Sequence, residues 1–209
     1  MPHSENLHNL KADDNDKYLA LHFAPKDKKE QLAALFNFHY QISQIPVEVS
    51  EPMIGMIKFQ WWRDVLEEIR TGKPPRPHPV LLGLQYSNVN YESLESIIDP
   101  YEKLLEDKTP PNLEALDDFI TNTHLVIFQQ AANILETTYN ENSAKAYTYT
   151  YLARKLTSPL ADSLIAKSKQ LSGSQTTIFD IITAHYNNNI NATRWRLLLK
   201  LAFSRAVFL

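Results

Sequence analysis

An all-helical fold is what this sequence predicts, on three observations. Only four glycines occur in 209 residues. Apolar residues recur at intervals of three and four more often than two, the signature of amphipathic helices. Prolines and glycines fall where helices would start and stop, not where tight sheet turns would need them. The 44% hydrophobic share can fill a sizeable core. A single helical domain over 16–209 is therefore expected behind a mobile segment at 1–15.

The first helix is predicted over about 26–44. Leu32, Leu35, Phe36, His39 and Ile42 fall at helical spacing there, Pro25 suits its first turn, and Pro46 is expected to close it. A second begins with Ser50 or Glu51 as cap and Pro52 at the first helical position, and stops at Gly72 before Pro74 and Pro75. Within it, Met53, Ile57, Trp61, Val65 and Ile69 form a row at spacing four that reads as the core face. Lys58, Trp62, Arg63 and Glu67 point elsewhere. Residues 76–80 form an extended connector, because a proline disfavours the helical basin for the residue before it.

A third helical stretch carries Leu94, Ile97, Ile98, Tyr101, Leu104 and Leu105, with a break expected near Asp99 because Pro100 follows. Asn112 then caps one long helix to about Thr138, with Leu113, Leu116, Ile120, Ile127, Ala131, Ile134 and Leu135 inward. Asn142 or Ser143 opens another to about Thr157, and Pro159 opens one that runs to Leu171 and ends at Gly173. The tail finishes on Trp195, Leu197, Leu201, Phe203, Val207 and Phe208. Such an apolar end suits a buried final helix, a peripheral membrane or partner contact, or a truncated C-terminus.

The formal net charge is −3 and the basic residues are dispersed, so no electrostatic footprint for nucleic acid is present. Without cysteine there is no disulfide framework, thiolate metal site or cysteine nucleophile. Residues 1–16 show neither a signal core nor a transit-peptide composition, and no apolar run is long enough to span a bilayer. These features point to the cytoplasm, with any contact at the inner membrane being peripheral.

No glycine-rich phosphate loop, nucleophile elbow or zinc-binding histidine pair occurs. His39 and His124 lie beside apolar rows and read as satisfied core residues. Asp13, Asp14 and Asp16 precede the first apolar row, which suits a mobile end or a cap at Asp16. Asp117 and Asp118 diverge by about 100° on a helix and cannot easily share an ion. Asp99, Glu102 and Glu106 align, but beside Lys103 they read as a solvated face. The segment Gln60, Trp61, Trp62, Arg63, Asp64 is different, since adjacent tryptophans face different ways and one must meet a second surface. The helix is then either sandwiched between neighbours or forms an aromatic wall of an apolar ligand cavity, with Arg63 as an anion contact.

The ordered segments Lys17-Tyr18-Leu19-Ala20, Phe23-Ala24-Pro25, Leu35-Phe36-Asn37-Phe38, Val49-Ser50-Glu51-Pro52-Met53-Ile54-Gly55, Gln60-Trp61-Trp62-Arg63-Asp64 and His78-Pro79-Val80 resemble the N-terminal half of the squalene/phytoene synthase family. The likeness is greatest to a divergent branch that includes a mitochondrial complex I assembly factor. It covers roughly 14–135, and Arg154 is a fainter match beyond. The resemblance implies an isoprenoid-synthase-like helical bundle around a central apolar cavity. Tyr18, Phe38, Gln60, Trp61, Trp62, Arg63 and Arg154 are its cavity candidates, and a prenyl diphosphate or another apolar molecule is its ligand.

Synthases of this family hold magnesium on two opposed aspartate-rich motifs. Where the first should lie this chain has Ser43, Gln44, Ile45, Pro46 and Val47, and near the second it has Lys155 and Pro159. The expected role is accordingly a binding or assembly factor, with a protein partner or a peripheral membrane contact through the C-terminal helix. One alternative is a magnesium-dependent prenyltransferase using Glu48, Glu51 and Asp162 as substitute ligands. The other is a helical interaction module with no ligand site.

Overall fold

The computed structural model describes residues 5–155 and 159–171, and every regular element among them is helical. The elements are α1 (Glu5–Asp13), α2 (Asn15–Ala20), a 3₁₀ turn (Leu21–Phe23), α3 (Lys29–Glu48), α4 (Pro52–Arg70), α5 (Pro79–Leu84), α6 (Tyr91–Ser96), α7 (Ile98–Asp107), α8 (Leu113–Asn122), α9 (His124–Leu135), α10 (Glu141–Ala153) and α11 (Pro159–Leu171). The all-helical expectation holds. The chain divides into two compact units, 1–136 and 137–209, where a single domain over 16–209 was expected.

The first unit is organised by α3. All residues from Leu32 to His39 are buried, so this stretch has no wet face. A helix apolar all round must be enclosed by others, and α1, α4, α5, α7 and α9 all pack on it. Pro46 does not close α3 but lies inside its last turn. The missing proline N–H forfeits one helical bond there, and the helix still ends with the Val49 N–H donating to the Ile45 carbonyl at 3.2 Å. Lys108 Nζ donates to the Pro46 carbonyl at 3.0 Å, so that terminal acceptor is satisfied.

The N-terminal expectation of a mobile segment also differs from the structure. Glu5–Asp13 form α1, with Leu10 fully buried. Asn6 is the tie: its Nδ2 donates to Glu30 Oε1 (2.7 Å) and to the Pro79 carbonyl (2.8 Å), and its own carbonyl accepts from Asn37 Nδ2 at 2.7 Å. The cap that follows is Asp14 rather than Asp16. Its carboxylate accepts the Lys17 N–H and pairs with Lys17 Nζ at 2.7 Å, both side chains being buried. Lys17 Nζ also lies 5.6 Å from the Phe36 ring centroid, which helps offset the cost of burying the pair.

Helix α4 has the boundaries its sequence predicts. Glu51 is an extended N-cap before Pro52, and Gly72 takes φ +80° with its N–H donating to the Ile69 carbonyl at 3.0 Å. Its buried face is another matter. Gly55, Phe59, Trp62, Val65, Leu66 and Ile69 are buried, while Met53 and Ile57 are exposed. A row at spacing four turns about 40° per step, so Met53 and Ile69 lie about 160° apart and cannot share one face.

Two helix breaks also moved. The third stretch parts at Ile97 rather than Asp99, because Pro100 is accommodated in the first turn of α7, where a missing N–H costs little. The predicted long helix from Asn112 is split at Thr123, whose φ −131° and ψ −78° leave the helical basin. The Thr123 hydroxyl donates back to the Phe119 carbonyl, a local bond that competes with the helical ladder.

In the second unit α10 is capped by Asn140, whose side chain accepts the Ser143 N–H at 3.0 Å, and it packs on α11. Ser168 on α11 donates to the Ala146 carbonyl at 2.9 Å, and its oxygen lies 2.8 Å from Thr150 Oγ1. Pro159–Leu171 matches its predicted span. Gly173 and the apolar tail from 195 lie outside the described residues. Among the described residues no helix is long and apolar enough to cross a membrane.

Candidate functional site

An open groove of about 490 Å³ runs between α3 and α4. Tyr40, Gln41, Gln44, Ile45 and Glu48 line it from α3, and Ile57, Lys58, Trp61 and Trp62 from α4. The α3 residues reach one strip because Tyr40, Gln44 and Glu48 repeat at spacing four, as do Gln41 and Ile45. That periodicity was present in the sequence. What was hidden is which strip of this helix the neighbouring helices leave uncovered.

The tryptophan pair resolves into two roles. Trp62 is only 4% exposed and meets Phe38 edge-on at 5.2 Å between centroids. Trp61 is half-buried, stands 5.0 Å from Trp62 in the same edge-on manner, and forms the wall of the groove. Ring edges meeting ring faces is the arrangement that aromatic quadrupoles favour. The earlier assignment of Trp61 to the core row and Trp62 away from it is thus reversed.

His78, which precedes α5, braces both indoles at 5.7 Å from Trp61 and 5.5 Å from Trp62. Its Nδ1 is buried without a hydrogen-bond partner. Burial lowers its pKa below the ordinary value, only partly opposed by Glu5. A depressed histidine pKa means the unfolded chain binds the proton more readily than the folded one. The stabilising effect is present above the unfolded pKa and is lost as pH falls through the folded one. Denaturant titrations between pH 7.5 and pH 5 should therefore show a steeper loss of stability for the native chain than for His78→Gln; parallel curves would remove His78 from that role.

The remaining cavity candidates of the first unit are not gathered in this groove. Phe38 is wholly buried in the core. Tyr18 lines a separate pocket of about 150 Å³ with Leu7, Leu21, His22 and Lys29. Gln60 is exposed and donates to Asp64 at 2.7 Å. Arg63 is engaged by two carboxylates, with Nη2 2.7 Å from Asp99 Oδ1 and also bonded to Glu102 Oε2. Burial opposes its charge, but those two hydrogen bonds outweigh it and hold its pKa above the ordinary value. Its Nη2 is thereby committed to these two carboxylates rather than to a bound anion. Glu51 is an exposed cap residue, and Arg154 and Asp162 belong to the second unit, at the end of α10 and in the first turn of α11.

Magnesium is the ion the resemblance implies, and the residues of this groove do not fit it. Magnesium takes hard oxygen ligands in octahedral array, commonly carboxylates shared with substrate phosphates. The groove offers two neutral amides, Gln41 and Gln44, and one carboxylate, Glu48, whose Oε2 is 3.6 Å from Lys58 Nζ. Among the described residues no three histidine, aspartate or glutamate side chains gather to hold a metal ion. At the Tyr40 end, burial raises the hydroxyl pKa and the charges of Asp13, Glu48 and Asp14 raise it further.

Known proteins place the chain in a wider setting. It is 30% identical over 130 residues to NADH dehydrogenase (ubiquinone) complex I, assembly factor 6, of Bos taurus, a match covering 60% of this chain and 39% of that protein. The Homo sapiens protein of the same name is 29% identical over 130 residues with the same coverage. That of Mus musculus is 30% identical over 118 residues, covering 54% of this chain and 35% of its own. The chain thus matches well under half the length of these curated relatives. No solved structure matches it. The squalene/phytoene synthase family model matches residues 10–154, from α1 through α10. With that match spanning most of the helices described above, the chain belongs to the squalene/phytoene synthase family.

Proposed function

We propose that this protein is a non-catalytic member of its family, a binding or assembly factor of the kind named in its complex I assembly factor relatives, without head-to-head prenyl transfer. The observation that carries the reading is the composition of the α3–α4 groove. Gln41, Gln44 and a single lysine-paired Glu48 occupy the strip where a diphosphate-binding metal site would need several free carboxylates. Metal neutralisation of a leaving diphosphate contributes several kcal/mol to such a reaction. Glu51, the N-cap of α4, does not line this groove, so within the first unit it does not supplement Glu48.

The apolar wall of Ile45, Ile57, Trp61 and Trp62 still suits an apolar ligand, and Lys58 is the cation among its described lining residues. The protein's partners in this reading are subunits or precursors of an NADH dehydrogenase complex. Purified chain incubated with magnesium and farnesyl or geranylgeranyl diphosphate is expected to yield no condensed prenyl product, whereas removing the gene lowers the amount of assembled complex. Magnesium-dependent turnover would overturn the first part, and unchanged complex abundance the second.

A further inference from the structure

An exposed apolar cluster covers the outward face of the first two turns of α4, meeting the groove at Ile57. Met53 is 65% exposed, Ile57 64%, Met56 48% and Ile54 44%. These four side chains are neighbours at helical spacing, and Val47 at the end of α3 is exposed as well. Such a cluster on one short stretch of helix marks an interaction surface more often than scattered apolar residues do.

Its flank on the α7 side is acidic. A shallow cavity of about 440 Å³ lies between α4 and α7, with Pro52, Met56 and Leu105 as floor and Asp99, Glu102 and Glu106 on the α7 side. Lys103 is the cation in that lining, and Arg63 engages Asp99 and Glu102 from α4. Glu106 remains unmatched by either, and Glu51 adds a further carboxylate at the start of α4. The close approach of the helices that creates this channel depends on Gly55, which packs directly on Leu105.

We infer that this face receives an amphipathic helix from a partner protein, one whose apolar stripe is bordered by lysine or arginine. Two turns of methionine and isoleucine match the spacing of anchors on such a helix, and methionine adapts its shape to varied partners. The acidic flank selects for basic borders and speeds encounter by charge attraction. The same flank disfavours a bilayer surface, since anionic lipid would meet like charge. The inference rests on the assembly-factor reading and specifies its docking surface.

The test uses the full chain and two synthetic amphipathic helices with one leucine face, flanked in one by lysine and in the other by glutamate. Fluorescence anisotropy should show the lysine peptide binding about tenfold tighter at low salt, with the advantage shrinking as salt rises. A Met53→Ser/Met56→Ser double variant, which leaves the α3–α4 groove untouched, should weaken it by a further factor of about ten while melting as the native chain does. Glu106→Lys should narrow the preference between peptides. Equal affinity for both peptides, or binding indifferent to the double variant, would overturn the inference. Binding to phosphatidylserine vesicles that the double variant abolishes would assign the face to a bilayer instead, and self-association lost in that variant would assign it to a second copy; either overturns it. Failure here with complex abundance still dependent on the gene would leave the assembly reading intact, and peptide binding without that dependence would sink the reading alone.

Discussion

Trp62→Ala is expected to lower the unfolding free energy by about 3–5 kcal/mol, the usual cost of emptying a buried tryptophan site. The side chain is 4% exposed and is held by three aromatic neighbours, Phe38 at 5.2 Å, Trp61 at 5.0 Å and His78 at 5.5 Å. Truncation removes both the buried area and those edge-to-face contacts, and the rings around the void belong to α3, α4 and the start of α5, so they cannot collapse into it cheaply. Trp61→Ala on the same helix should cost clearly less, since that indole already meets solvent in the groove. Urea denaturation followed by far-UV circular dichroism separates the two. Losses of equal size would mean that the division into a core indole and a groove-wall indole is wrong.

Gly83→Ala should be the next most damaging change, at about 1–3 kcal/mol from overpacking. A Cβ at this position would sit 2.5 Å from Ala34 Cβ, 3.0 Å from Asn6 Nδ2 and 3.6 Å from the Glu30 carbonyl. Ala34 has no rotamer with which to yield, so α5 and α3 must move apart, and the Asn6 tie between α1 and α5 is strained with them. The companion variant Ala34→Gly should recover part of the loss despite its own helix penalty of about 1 kcal/mol. Melting curves of the four members of that cycle decide the matter: absence of any coupling between positions 34 and 83 would refute the steric account. Gly55→Ala is a useful comparison. Its new Cβ would meet a side chain rather than another Cβ, at 2.3 and 2.9 Å from the two Cδ atoms of Leu105 and 3.2 Å from its Cγ, and because Leu105 is buried the penalty should be of the same order as at Gly83.

These packing features bear on function because they hold the α3–α4 groove open in one shape. Trp62 and Phe38 lock the two helices together beneath it, leaving Trp61, Ile57 and the glutamines of α3 as its lining.

Much of this was legible in the residues. Pro52 and Gly72 mark the ends of α4, Pro159 and Leu171 those of α11, and Asn112 caps α8 as predicted, accepting the Ala115 N–H at 2.8 Å. Each of these signals acts within a few residues of its own position, through a missing N–H, a positive φ or a side chain that reaches the next turn. The family was legible for a related reason, since an ordered series of short segments survives in sequence without reference to the fold.

The N-terminal order of residues 5–13, the face of α4 that is buried and the fate of Arg63 were not legible. Asn6 is fixed by partners 24 and 73 positions away, and Arg63 by carboxylates 36 and 39 positions away. The sequence by itself determined the helical class, both ends of α4 and α11 and the start of α8, the family and the lack of an aspartate pair on α3. Only the tertiary structure decided that Trp62 rather than Trp61 is core, that Arg63 is occupied, and that Met53, Met56 and Ile57 face outward. The division follows from range: backbone sterics are settled locally, whereas burial and charge pairing depend on which distant surface arrives against a given face.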